Sequence, residues 1–239
     1  MSTPLQALLI GSAALFALSG CGPAGEQMAA DQVEAPNPPA PDAHDMETLP
    51  VAFRVAFMSG HVEAGLALYR AGAPEQAAKH LLHPVSETHA AERAGIDALG
   101  FAPDVFERVS DMLEAGAPAS EIEPLLQDAE ANMARMQVEA AGEPAAIITF
   151  LMDTAAEEYA IGVTDGAISD PGEYQDAFGF SIVALKIARR LEGADALVAE
   201  LETLTALWPP SGPLADSDPQ TVAEVTAQID SVRAALAAL

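Results

Sequence analysis

The chain has 239 residues, half of them apolar, and a formal net charge of −26 from 36 acidic side chains against only 10 lysines and arginines. So acidic a composition excludes a nucleic-acid partner, because phosphate binding needs a basic surface. The chain has a single cysteine, which excludes an intramolecular disulfide, so the fold must be held together by packing or by a metal.

The N-terminus has the features of an export signal. The first twenty residues carry no charged side chain, and the apolar run at 7–18 is far shorter than the roughly 20 residues of a membrane-spanning helix. Leu-Ser-Gly-Cys at 18–21 resembles the lipobox of bacterial lipoproteins. The resemblance implies a signal peptide over 1–20, lipidation of Cys21, and a lipid-anchored protein facing the periplasm. Inner or outer membrane stays open, and a soluble chain with a chance cysteine is the alternative.

The next segment favours a tether between lipid and domain. Residues 21–48 contain five prolines and no aromatic side chain, so they cannot bury enough apolar surface to fold. We expect a lipidated, disordered tether that reaches about 30 Å. Because the acidic surface repels anionic headgroups, we expect the lipid on Cys21 to attach the protein to the membrane. The remaining residues, 49–239, are long enough for one sizeable core.

The segment 49–239 reads as helix throughout. Apolar residues recur at helical spacing, and glycine and proline mark the ends. Ala-Gly-Ala-Pro at 71–74 recurs at 115–118, which indicates two helical hairpins. We therefore predict an all-α bundle of about eight helices built from helical hairpins. The predicted helices cover 50–71, 74–82, a further one from Pro84, then 103–115, 119–141, 144–163, 171–191, 194–207 and 219–239.

Four of the five histidines fall between residues 61 and 89, which makes this the sharpest candidate site. His61 lies on the first helix, His80 near the end of the second, and His83 at the corner before a proline, with Glu87 one turn further on. A proline corner and the hairpin at Gly72 bring these side chains together. Imidazole and carboxylate suit zinc, copper or iron. The alternative is a set of solvated histidines and a capping imidazole.

A second candidate cluster combines carboxylates and tyrosines. Its members are Glu158, Tyr159, Asp165, Glu173 and Tyr174, and Asp176 follows in the same stretch. Such a set suits ferric iron or another hard cation. The alternative is structural, because Asp165-Gly166 is a turn signal and acids near residue 171 favour the positive end of a helix.

Residues 159–180 carry a series of Tyr, Val, Asp-Gly, Glu-Tyr and Phe that resembles the periplasmic helical domain associated with bacterial high-affinity iron permeases. Gly-His-Val-Glu at 60–63 also resembles the Gly-His-Glu helix of imelysin-like iron-uptake proteins. These resemblances imply a periplasmic helical protein that takes part in the acquisition of a metal, and they favour iron over other metals. A metal permease or another envelope protein is then the expected partner.

Sequence signatures of catalysis are missing. The chain has no Gly-x-Ser-x-Gly elbow, no phosphate-binding Gly-Lys loop and no paired-histidine zincin helix. We therefore predict a non-enzymatic, membrane-anchored protein that binds or delivers a transition metal, iron or copper, through His61, His80, His83 and Glu87. The alternative is a ligand-free helical scaffold of the cell envelope. In that case Trp208 would anchor a partner, unless it closes the core.

Overall fold

The computed structural model describes residues 48–86, 93 and 95–239. The predictions on Cys21, on the tether and on Glu87 concern residues outside these ranges. Within them the fold is all-α, as predicted, with eight α-helices. They are α1 Val51–Arg70, α2 Pro74–Leu82, α3 Pro103–Glu114, α4 Ala119–Ala140, α5 Pro144–Gly162, α6 Pro171–Ala188, α7 Asp195–Thr205 and α8 Val222–Leu236.

Proline opens four of these helices, at the first helical position of α2, α3, α5 and α6. At this position the lack of an N–H in proline costs no hydrogen bond, because the first N–H groups of a helix have no partner inside it. Pro84 behaves differently from the prediction. It lies within a single 3₁₀ turn, His83–Val85, which follows α2 directly.

The two Ala-Gly-Ala-Pro segments form equivalent turns. Gly72 and Gly116 have φ values of +80° and +65°, which favour glycine. The next N–H bonds back to the carbonyl five residues earlier, from Ala73 to Leu68 and from Ala117 to Met112, each at 2.9 Å. This pattern ends a helix and turns the chain. The predicted hairpins α1–α2 and α3–α4 are therefore present.

Helix α1 is central to the fold. Its residues Ala52, Ala56 and Phe57 pack into a core cluster shared with α5–α8. Val55, Met58 and Val62, on another side of the same helix, pack into a second cluster with α2–α4. A helix that is apolar on most sides is expected to be buried among other helices, as α1 is here. By length and composition α1 is the one described helix that could cross a membrane, but 78% of its apolar window is buried inside the protein.

A short β-hairpin, which the sequence did not predict, links α5 to α6. Strands β1 Val163–Thr164 and β2 Ala167–Ile168 pair antiparallel. Asp165 and Gly166 form the turn with φ values of +54° and +77°, as tight two-residue hairpins require. The hairpin reverses the chain, so α6 returns along α5.

Helices α1 and α6 cross at very close range through two glycines. A Cβ atom on Gly179 would lie 2.0 Å from the carbonyl oxygen of Gly60, and one on Gly60 would lie 2.1 Å from the ring of Phe180. Only glycine fits at either position. This contact brings His61, the residue after Gly60, against the side of α6 that carries Asp176.

Candidate metal centre

Four potential metal ligands converge between α1, α2 and α6. They are His61 on α1, His80 on α2, His83 in the turn after α2, and Asp176 on α6. One donor atom from each lies within 4.8 Å of all the others. The structure thus brings together the three predicted histidines and adds a carboxylate.

The donor atoms face one another at short range. Oδ1 of Asp176 lies 2.7 Å from Nδ1 of His61 and 3.0 Å from Nδ1 of His80. Nδ1 of His83 lies 2.9 Å from Nδ1 of His61. Four donors arranged tetrahedrally at about 2.1 Å from a metal would lie roughly 3.4 Å apart. The cluster is therefore close to the size of a mononuclear site, and its donors suit a transition metal.

The cluster is shielded from water on most sides. Only 4% of His61, 5% of His80 and 4% of Asp176 is exposed. The ring of Phe57 packs edge-on against His61 with centroids 4.7 Å apart, and Phe180 lies at 5.6 Å. His83 is only half-buried, so it marks the side from which an ion can enter.

Charge and hydrogen bonds hold the cluster together without a metal. Burial alone would raise the pKa of Asp176, but the charges and hydrogen bonds of His61 and His80 hold it well below its ordinary value. Burial alone would lower the pKa of His80, yet the charge of Asp176 and hydrogen bonds to Asp176 and Gln175 raise it. Asp176 is therefore ionised, and its negative charge attracts cations to this point, whether they are protons or metal ions.

A pair of glutamines orients His80. Its Nε2 atom donates to Oε1 of Gln175 at 2.7 Å, and Nε2 of Gln175 donates in turn to Oε1 of Gln76. A hydrogen on Nε2 leaves Nδ1 as the nitrogen that binds a metal once its own proton is lost. Such outer partners are usual for metal-binding histidines, because they set the tautomer and the ring orientation.

The predicted carboxylate and tyrosine cluster is only partly assembled. Glu158 on α5 and Glu173 on α6 lie side by side. Asp165 is exposed at the β-hairpin turn. The tyrosines serve the core: the hydroxyl of Tyr159 donates to the carbonyl of Gln220 at 2.9 Å, and the Tyr174 ring is fully buried. The two glutamates are therefore side by side, while the two tyrosines belong to the core and Asp165 lies at an exposed turn.

Trp208 lies in the same aromatic group as the two tyrosines. Its side chain is 3% exposed, and Nε1 donates to the carbonyl of Tyr174 at 3.3 Å. Its ring centroid lies 5.3 Å from that of Tyr159. Trp208 closes the core around α5 and α6, which is the structural one of its two predicted roles.

Glu158 is an unusual carboxyl group. Only 4% of it is exposed. Burial, reinforced by a hydrogen bond to Glu173 and by the negative charges of Glu173 and Asp176, raises its pKa to about 10. Without a bound cation, Glu158 is therefore protonated at neutral pH.

The sequence did not single out Asp176 and Gln175 as part of the histidine site. Asp176 is 115 positions from His61 and 96 from His80. Because it lies near the start of a helix, the sequence indicated only that its charge stabilises the positive end of that helix. A usable signal was its helical register: Asp176, Phe180 and Val183 share one face of α6, and an acid on an apolar face calls for a buried partner.

Residues 134–239 match the family model of the iron permease-associated 4-helix bundle domain. The matched range contains all of α5, α6, α7 and α8, four complete helices. It includes Asp176, whereas the three histidines precede it. The resemblance that the series at 159–180 indicated is thereby confirmed, while those to the lipobox and to imelysin stay predictions. No curated protein and no solved structure matches the chain significantly.

Proposed function

We propose that this protein binds iron at His61, His80, His83 and Asp176 and acts in iron transport as a binding or delivery protein. The observation that carries the proposal is the convergence of three imidazoles and one carboxylate, from three separate parts of the chain, within 4.8 Å. Burying an imidazole and carboxylate group of this kind is costly unless the members are mutually paired or coordinate a metal.

Two observations support an iron site, and only the family match selects iron among the possible metals. Three imidazoles and one carboxylate suit zinc, copper and iron, so the donor types alone leave the metal open. The match of residues 134–239 to the iron permease-associated 4-helix bundle domain favours iron among them. The two supports meet at Asp176, which belongs both to the matched range and to the donor cluster. Copper is the second metal to be tested.

The rest of the proposal concerns location and partner. A lipid on Cys21 would anchor the protein to a membrane of the cell envelope, facing the periplasm, and the tether would let the domain reach a neighbouring protein. A metal permease is the partner that the family match favours. The formal charge of −26 would raise the local concentration of cations near the site. Glu87, four positions after His83, stays a proposed additional ligand, and no enzymatic step is assigned.

A binding measurement tests the proposal. We would titrate the full chain anaerobically with Fe²⁺ by calorimetry and count bound iron by elemental analysis. A variant with His61, His80 and His83 changed to alanine is the comparison, and His44→Ala, outside the domain, is the control. Iron that binds to the wild type and to the control but not at this site in the triple variant supports the proposal. Equal iron binding by all three proteins would contradict the proposed site, and no iron in any of them would leave a ligand-free scaffold as the better account.

A further inference from the structure

A pair of carboxyl groups, one buried and one half-buried, lies next to the histidine centre. Glu158 on α5 and Glu173 on α6 lie within hydrogen-bonding reach of each other. Glu158 is 96% shielded from solvent, since its exposed fraction is 4%. Its Oε2 atom is buried and has no hydrogen-bond partner in the part of the chain that the structure describes. A buried oxygen with no donor is costly, and the usual remedies are a proton, a water or a metal ion.

The glutamate pair interacts electrostatically with the histidine centre. The negative charges of Glu173 and Asp176 both act on Glu158, and that of Glu173 also acts on His80. Glu173 also lies three residues, about one helical turn, before Asp176 on α6, and Glu158 faces Glu173 from α5. Helical bundles that hold two metal ions use inward-facing glutamates and histidines of this kind.

We propose that Glu158 and Glu173 hold a second cation beside the histidine centre, with Asp176 as the carboxylate next to both positions. The donors of this second position are all oxygens, so it favours a harder ion than the histidine centre does. Glu173 is half-buried and provides the route from solvent. Binding would displace the proton that Glu158 carries in the metal-free protein. This inference rests on the proposed function and adds a second bound ion to it, and the experiment counts the ions at the two positions separately.

The experiment counts Fe²⁺ per chain by anaerobic equilibrium dialysis and elemental analysis. We expect two ions in the full wild-type chain and one in Glu158→Gln or Glu173→Gln. Glutamine keeps the shape of a protonated glutamate, so these variants retain the fold. Glu157→Gln is the matched control, because this neighbour on α5 is exposed, and it should still bind two ions. Removal of the three histidines should leave one ion, which Glu158→Gln then abolishes.

The outcomes distinguish the two ideas. One ion in the wild type, with affinity changed less than threefold by Glu158→Gln and Glu173→Gln, overturns the second site and leaves the histidine centre intact. The glutamates would then only share a proton. One ion that Glu158→Gln removes and the histidine substitutions do not would overturn the proposed function and keep the carboxylate site. Thermal unfolding of each variant verifies folding, and if Glu158→Gln fails to fold, the half-buried Glu173→Gln decides the result.

Discussion

At the residue scale, Asp176 determines what the centre can bind. It is the only carboxylate among the four convergent donors, and it accepts hydrogen bonds from two imidazoles on different helices. Without it, the histidines would form a neutral or mutually repelling group. The acid therefore both stabilises the metal-free fold and supplies negative charge to a bound ion.

We predict that Asp176→Asn weakens both functions. Breaking a buried charge pair by neutralising one member costs about 3–5 kcal/mol of unfolding free energy, which urea denaturation of the metal-free chain would measure. Fe²⁺ affinity should fall at least tenfold, because a neutral amide replaces a charged ligand. Asp195→Asn, an exposed acid in the first turn of α7, is the control and should change neither quantity. Unchanged iron affinity in Asp176→Asn would remove this residue from the site.

A second prediction concerns Gln175, which acts through His80. Gln175→Leu removes the acceptor for Nε2 of His80, so the imidazole loses its fixed orientation. Loss of such an outer partner typically weakens metal binding about 10- to 100-fold, which calorimetry with Fe²⁺ would detect. Gln175→Glu keeps an acceptor and should retain the affinity. Gln228→Leu, which removes two hydrogen bonds from α8 to Glu200 on α7, is the control. An equal loss of Fe²⁺ affinity in that variant would mean that Gln175 has a purely structural role.

The sequence could reveal part of this site but not all of it. His61, His80 and His83 lie close together along the chain and flank two turns marked by Gly72 and Pro84, so local geometry alone brings them near one another. Asp176 comes from a distant helix, and its approach depends on how α6 packs on α1. Such packing follows from side-chain shape and total burial, which no local pattern in a single sequence specifies.

At the scale of elements, the crossing of α1 and α6 sets the spacing of the centre. We predict that Gly179→Ala is strongly destabilising, because its Cβ would meet the backbone oxygen of Gly60 at 2.0 Å and overpacking of this kind costs about 1–3 kcal/mol or more. The helices would separate, so Fe²⁺ affinity should fall together with the unfolding free energy.

Gly172→Ala is the control for that prediction. It lies in the first turn of the same helix, and its nearest neighbour would be a side-chain oxygen of Asp170 at 3.3 Å. Its stability should stay within about 0.5 kcal/mol of the wild type. If Gly179→Ala matched this control in both measurements, the close crossing would not position the site.

The ends of the elements were more predictable than their packing. Prolines at the first position of α2, α3, α5 and α6 matched the predicted starts, because proline fixes a helical φ and needs no N–H there. The β-hairpin was missed for an equally physical reason. Its two-residue strands are too short to show alternation, and only the Asp165-Gly166 turn left a mark in the sequence.

At the scale of the whole molecule, the candidate centre joins two parts of the fold. His80 and His83 lie on α2 and in the turn after it, Asp176 lies on α6, and His61 lies on α1, the helix that both core clusters share. The match to the iron permease-associated 4-helix bundle domain begins near the end of α4 and covers α5–α8, so it includes Asp176 and none of the three histidines. In this chain, the histidines that precede the matched range complete the donor set.

The predicted lipid anchor on Cys21 can be tested at this same scale. Cys21→Ser removes the thiol that would carry the lipid, so the protein should move from the membrane fraction to the soluble fraction of cells. Metabolic labelling with a fatty acid should mark the wild type and not the variant. Ser19→Thr would serve as a mild control that keeps the cysteine. A wild-type protein that is soluble and unlabelled would contradict lipid anchoring and leave the metal centre untouched.

The most direct test of the central claim is the iron K-edge X-ray absorption spectrum of the full chain loaded with one equivalent of Fe²⁺. The proposed centre predicts a first shell of nitrogen and oxygen at about 2.1 Å, with outer-shell scattering from three imidazoles. That scattering should disappear when His61, His80 and His83 are changed to alanine. A shell of oxygen alone, identical in the wild type and in the triple variant, would show that iron binds elsewhere and not at the three histidines.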